Sequence, residues 1–265
     1  MKGRTTRSWH LFEFMDVAGI PAGLRRTLRE ILECGNSRPF RQYYDWAASK
    51  VEHEARQGKY RRIVELGAGT APIARFLAKS SRRDDAPTLI PCDVHPDIDA
   101  YRSLEAAYPG RVAPIFTPVD FSQPCAWESD TLLFLSATFH HVLPEARLSA
   151  LDALLSSGRR IVICEPLQNR LSSFGYVVLS ILPTMLLPLL FIERPGRLRR
   201  VLWCWLLPVA PLMFWWDGWV SCLRQWDADE WRAAAVRLGI TIRSFDASTF
   251  SYCVVLERQQ GQAPG

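Results

Sequence analysis

The sequence carries no C-x-x-C pair, no histidine-rich ligand spacing, and no apolar run behind its basic first residues Lys2, Arg4 and Arg7. The first two absences exclude the common zinc motifs, and no metal site is expected. The third removes the pattern of a secretory signal, so no signal peptide is expected. Lysine is scarce, occurring only as Lys2, Lys50, Lys59 and Lys79, and the net charge of +5 rests on arginine. Arg25, Arg26, Arg29, Arg61, Arg62, Arg82 and Arg83 are interspersed with acids. They form no basic stripe, and no nucleic-acid partner is expected. The same mild basicity also suits an anionic membrane surface. The seven cysteines (Cys34, Cys92, Cys125, Cys164, Cys204, Cys222, Cys253) are odd in number, and several sit in apolar runs. There a thiol behaves as a small hydrophobe, and a reducing cytosolic compartment is expected. No internal repeat is visible. A chain of 265 residues has room for one large α/β domain and an accessory element.

What is present is an alternation. Residues 9–58 read as helical, with Leu24, Leu28, Ile31 and Leu32 on one face. Apolar strands are expected at Arg62–Leu66, Thr88–Asp93, Val112–Asp120, Thr131–Ser136 and Arg160–Glu165, with helical stretches between them. A helix over Asp229–Leu238 and strands at Ile240–Phe245 and Tyr252–Glu257 close the pattern. Short continuous apolar strands separated by helices indicate a mainly parallel sheet covered on both faces. Pro91, Pro114 and Pro118 make the second and third strands short, bulged or near an edge.

The sharpest motif is Val64-Glu65-Leu66-Gly67-Ala68-Gly69-Thr70-Ala71-Pro72. A strand enters the turn, glycines let the backbone bend close to a ligand, and a helix follows whose unpaired amides face that ligand. A dinucleotide pyrophosphate needs a third glycine where Pro72 stands, which disfavours a nicotinamide-linked oxidoreductase. Nor does a Lys-Ser/Thr pair follow, as a P-loop requires. The acid two residues ahead of the first glycine, Glu65, suits a cationic amino group and opposes phosphates.

This motif resembles the E/D-x-G-x-G-x-G signature of class I S-adenosylmethionine (SAM)-dependent methyltransferases, with Ala71 in place of the last glycine. The resemblance spans roughly residues 60–170 and returns over 217–258. It implies a doubly wound, Rossmann-like seven-stranded sheet and SAM as cofactor. By that resemblance Glu65, Gly67, Ala68, Gly69, Asp93, Asp120, Phe121 and Ser136 hold the cofactor: Asp93 takes the ribose hydroxyls, and Asp120-Phe121 lie around adenine. Ser136-Ala137-Thr138-Phe139-His140-His141-Val142 resembles the family's small-residue, His-His stretch at the methyl-transfer cleft, and Glu165-Pro166 its E-P after the fifth strand. His140 and His141 are the candidate bases, and Glu165 a candidate for orienting the acceptor. Tyr43 and Tyr44 read either as cover over the cofactor or as plain core.

Two stretches, 174–192 and 201–216, contain no charged residue. As helices they measure about 28 and 24 Å at ~1.5 Å per residue, against a hydrocarbon core of ~30 Å. Pro183, Pro188, Pro208 and Pro211 would kink them, and the connection carries Arg194, Arg197, Arg199 and Arg200. The expected hairpin over 174–216 either dips into one leaflet, spans the bilayer twice, or forms a substrate lid or dimer surface in a soluble enzyme. A spanning hairpin would push the arginines to the far side, against the positive-inside tendency. The expected division is a helical cap (1–58), a SAM-binding core (59–170), the apolar hairpin (171–222) and the remainder of the core (223–260). The acceptor is expected to be small and apolar or lipid-like, possibly methylated on oxygen, at the cytosolic face of a membrane. A non-catalytic membrane-associated SAM-binding or scaffold protein is the alternative.

Overall fold

The computed structural model describes residues 11–17, 19–35, 41–80, 86–123, 125–157, 160–190 and 195–258. Expectations that rest on Arg82, Arg83 or Arg194 lie outside them. The chain divides into two units. Residues Gln42–Pro166 and Trp226–Gly265 form a sheet unit, and Met1–Arg41 with Leu167–Gln225 form a helical unit. The expected cap is thus shared out, its first helix in one unit and most of its second in the other.

In the sheet unit, strands β1 (Arg62–Leu66), β2 (Thr88–Cys92), β3 (Thr131–Ser136), β4 (Arg160–Glu165), β5 (Thr241–Ala247) and β6 (Tyr252–Glu257) form one sheet in the order β2-β1-β3-β4-β6-β5. The first four are parallel, and β6 runs antiparallel to β4 and β5. Alternate side chains feed two cores. Ile63, Leu132, Phe134 and Val162 face one, shared with Ala47 and Val51 of α2 (Arg41–Gln57) and Leu77 of α3 (Pro72–Ser80). Val64, Leu66, Leu133 and Ile163 face the other, shared with Leu151 of α5 (Arg147–Ser157) and Trp231 of α9 (Ala228–Leu238). Burial on both faces is what makes β3 read as a nearly unbroken apolar run, whereas β5 is largely exposed.

The seventh strand, expected at Val112–Asp120, is absent among the described residues; six strands are present. The segment still follows the outer edge of β2. Leu89 and Ala113 exchange amides with Arg111 and Leu89 carbonyls (both 2.9 Å), and Ile115 donates to Pro91 O at 3.0 Å. Only Leu89 and Val112 form a ladder bridge. The reason is covalent. Thr88 donates inward to Arg61 and Leu89 outward to Arg111, so the next outward donor belongs to residue 91, a proline without an N–H. Pro114 and Pro118 alternate with Ala113, Ile115 and Val119, whose amides face β2 and Asp93, so the donors they lack belong to the opposite edge of the segment.

The helical unit contains α1 (Ala22–Gly35), α6 (Leu171–Leu190), α7 (Arg197–Val201), a π-helical turn (Leu202–Leu206) and α8 (Val209–Arg224). Leu24, Leu28 and Ile31 of α1 pack against Leu187, Cys204, Ala210 and Met213. A Cβ on Gly218 of α8 would come within 2.9 Å of Val177 of α6, so these helices meet closely. The second limb of the expected hairpin is broken, bending by 68° between Leu206 and Val209. No single helix among the described residues is long and apolar enough to cross a membrane; the bent pair passes only when its two parts are taken together. The arginine-rich connection also differs from its expected display. Arg199 and Arg200 both pair with Glu30 of α1, and Arg200 is buried.

Candidate active site

The glycine turn is built by its neighbours. Gly67 has φ +67°, and a Cβ there would lie 2.2 Å from Cγ2 of Thr138. Thr138 Oγ1 lies 2.8 Å from Ser136 O and 3.2 Å from Gly67 O, tying the turn after β1 to the end of β3. Ala71, standing at the last glycine of the signature, adopts φ +54°, a conformation that costs an alanine about 1–2 kcal/mol. Gly67→Ala should therefore lower the denaturation midpoint by more than 1 kcal/mol of stability, and Ala71→Gly should not lower it. Thermal unfolding of both variants checks this.

Asp93 stands one residue past β2, half-buried. Its Oδ2 accepts the Gly69 amide and its Oδ1 the His95 amide, each at 2.8 Å. A Cβ on Gly69 would meet nothing within 4 Å, so the turn faces open space beside this carboxylate. Glu65 points the other way. It is buried and accepts the Ala74 amide in the first turn of α3 at 3.0 Å. Burial, with Asp93 nearby, pushes its carboxyl up to about 8. The folded chain thus retains a proton that the unfolded chain releases near its ordinary value of 4.5. Glu65's contribution to stability is therefore full below that value and is lost as pH rises through about 8. Glu65→Gln should flatten this fall, as denaturant midpoints measured between the two values will show.

The second cluster closes β3 and β4. Phe139–His141 form a single 3₁₀ turn whose first amides point at Glu165, which is fully buried. Glu165 Oε1 accepts from Phe139 N (2.9 Å) and His140 N (3.3 Å), and Oε2 lies 2.7 Å from His140 Nδ1. With the carboxylate ionised, Nδ1 carries the proton and the lone pair sits on Nε2. Arg147 grips the other end of the turn. Its Nη2 donates to His140 O at 3.2 Å and its Nε to Val142 O at 3.0 Å. Its guanidinium lies 5.7 and 5.6 Å from the ring centres of Phe139 and Trp226. The His141 ring lies 4.3 Å from that of His140.

Ser136 ends β3 beneath this turn. Its Oγ and the Cys164 carbonyl are both 2.9 Å from the Tyr43 hydroxyl. Burial holds that phenol well above its ordinary range, so it stays protonated. Its single proton goes to the carbonyl, and Ser136 donates to it. Tyr43 packs against the first core and ties α2 to the ends of two strands.

Among the sequence candidates, Gly67, Ala68, Gly69, Asp93, Ser136, His140 and His141 all lie at the carboxyl ends of the parallel strands. Asp120 is exposed and closes a local turn, accepting from Ser122 N (2.9 Å) and Oγ (2.6 Å). Phe121 packs with Ile90, Ile115 and Val119 on the second core. Arg147 and Thr138 were not singled out by sequence. Arg147 reads there as an ordinary surface cation opening a helix, and nothing local marks its burial. The described cysteines Cys92, Cys125, Cys164, Cys204, Cys222 and Cys253 are free thiols.

No family model and no curated protein matches the sequence. Solved structures do match. The magnesium protoporphyrin IX methyltransferase of Synechocystis PCC 6803, solved with bound SAH, superposes with a TM-score of 0.52 at 12% identity, over 92% of this chain and 91% of that one. An O-methyltransferase family protein from Burkholderia thailandensis gives 0.52 at 13% identity, covering 90% of this chain and 63% of its own. TnmH gives 0.50 at 17%, covering 86% and 61%. This is a methyltransferase fold. Within a methyltransferase fold the order of the strands matters as much as their number. In an open α/β sheet ligands bind outside the carboxyl ends, where the strand order reverses. Here that point lies between β1 and β3, the two strands that carry the glycine turn and the His140 turn.

Proposed function

We propose that this chain is a SAM-dependent methyltransferase that acts on a small apolar or lipid-like acceptor, with His140 as the base. The observation that carries the proposal is the meeting, at one end of the sheet, of the turn over Gly67–Gly69 with the His140–Glu165 pair. The residues fit the cofactor: the open side of Gly69 admits close approach, and Asp93 has two carboxylate oxygens for ribose hydroxyls beside it. When bound, SAM supplies an electrophilic methyl group on a sulfonium. The protein's own part is alignment and proton removal. Glu165 sets the His140 tautomer, so Nε2 takes the proton of a hydroxyl acceptor while the carboxylate stabilises the imidazolium. Arg147 and Glu165 together fix the turn that aims the ring.

The apolar acceptor and the membrane are the finer part of the proposal. The helices that follow Glu165-Pro166 in the chain expose leucines over much of their length, which suits an enzyme at the cytosolic face of a membrane with a substrate drawn from it. Isothermal titration with SAM tests the cofactor. Asp93→Ala should weaken binding by about 1.5–3 kcal/mol for each charge-assisted bond lost; unchanged affinity would remove Asp93 from the site. Incubating methyl-labelled SAM with lipid and aqueous fractions tests the acceptor. Tight SAM binding without any labelled product in either fraction would favour the non-catalytic alternative.

A further inference from the structure

Helix α6 is built inside out. Its buried side carries Ser173 and Thr184 beside Val177 and Leu187. Its exposed side is a stripe at helical spacing: Leu171, Val178, Leu179, Leu182 and Leu186, with exposures of 88, 44, 72, 64 and 47%. In a helix facing water the apolar stripe turns inward. α8 likewise buries polar groups, Asp217, Ser221 and Arg224, alongside Met213, Val220 and Cys222, while Val209 and Leu212 are exposed. Asp217 is satisfied inside, accepting the Phe14 and Met15 amides at 2.6 and 3.1 Å.

The bend between Leu206 and Val209 has a second property. It is apolar, with Leu206 72% and Leu207 49% exposed, and it largely meets its own backbone needs. Leu207 N donates to Leu202 O (2.8 Å), Val209 N to Leu207 O (2.6 Å) and Leu212 N to Pro208 O (3.3 Å). Pro208 and Pro211 have no donor to satisfy. Hydrocarbon demands this of any backbone that enters it. Charge points the same way. Residues 171–216 hold four arginines against one acid, of which Arg199 and Arg200 are paired with Glu30 within the helical unit. Arg197 is exposed next to Leu198, itself 86% exposed.

We infer that the outward stripe of α6 and the 206–209 bend form a single docking face for one leaflet of an anionic lipid bilayer, with Arg197 among the headgroups. This deepens the membrane-attached form of the reading above and selects a dipping segment over a lid. Buried polar groups with leucines outside are what a lipid-facing surface requires, and a leaflet accommodates a bend that is apolar at its apex.

Vesicle sedimentation tests it, using the full chain with phosphatidylcholine alone and with phosphatidylcholine–phosphatidylglycerol mixtures. Wild type should pellet with both, and more tightly with the anionic mixture. The double substitution Leu179→Glu, Leu182→Glu, and separately Leu206→Glu, should abolish pelleting. These side chains are exposed, so folding is preserved, and circular dichroism with SAM titration verifies it. Arg197→Gln should reduce binding to anionic vesicles about five-fold, the effect of one cation at such a surface, and leave binding to phosphatidylcholine unchanged. Wild type that stays in the supernatant overturns the inference. If it is then a dimer by light scattering and Leu179→Glu, Leu182→Glu makes it a monomer, a second copy covers the face instead. SAM affinity is read in the same samples, so wild type that binds SAM but no vesicles overturns the docking face and leaves the methyltransferase reading standing.

Discussion

His140→Asn is expected to lower turnover by about 10²–10⁴-fold while leaving SAM affinity nearly intact. Asparagine is the informative replacement because its amide can still donate to Glu165 Oε2, where His140 Nδ1 now lies at 2.7 Å. Alanine would leave that buried carboxylate one donor short, at a cost of about 1–3 kcal/mol, and a loss of activity would then mix chemistry with stability. With asparagine the turn keeps its bonds to Glu165 and Arg147, and only the imidazole Nε2 is gone. Single-turnover rates under saturating SAM separate the two effects. A parallel fall in SAM affinity would show that His140 shapes the cofactor site instead of serving the transfer. His141→Ala should reduce turnover less, because the bonds from the turn to Glu165 and Arg147 are made by Phe139, His140 and Val142.

Much of this arrangement was legible beforehand, for reasons that differ by residue. β1, β3 and β4 are buried on both faces, so their sequences are short apolar runs, interrupted in β1 by Glu65, whose length and flanking turn residues mark them as strands. Gly67 was legible because its chirality-free backbone is a local necessity. The third strand was misread because its apolar content is real while its pairing depends on donors in another segment: Pro91 faces outward, a fact set by the register of β2 against β1. The prolines were noticed, but which edge they deprive is a tertiary property. Arg147 stayed hidden for a similar reason. Its value lies in two carbonyls and two aromatic faces, one of them Trp226, far along the chain. In the sequence Arg199 and Arg200 stand only in the charged connection of the apolar hairpin, and only the fold brings Glu30 to them. Glu65 was recognised by position, but its orientation toward the α3 amides follows from burial that spacing does not encode.

Glu165→Gln should cost even more activity than its small chemical change suggests, with the protein still folded. Glu165 accepts from two backbone amides through Oε1 and from His140 Nδ1 through Oε2. Glutamine can keep its carbonyl oxygen toward Phe139 N and His140 N, so the turn remains capped. The amide nitrogen then faces His140 and is itself a donor. Nδ1 must become the acceptor, which moves the ring proton to Nε2, the atom that has to receive a proton from the acceptor. An equivalent carboxylate-to-amide exchange beside a catalytic histidine in a serine-protease triad costs about 10⁴ in turnover through this wrong tautomer. The expected signature here is a turnover loss of about that order, unchanged SAM affinity, and a reversed tautomer in nitrogen-15 spectra of histidine-labelled protein. Glu165→Asp is the complementary variant: it retains the charge but draws the carboxylate back, and should keep the tautomer while loosening the turn. If Glu165→Gln were as active as wild type, Glu165 would be only a cap for the Phe139–His141 turn, and the proton would leave the acceptor by another route.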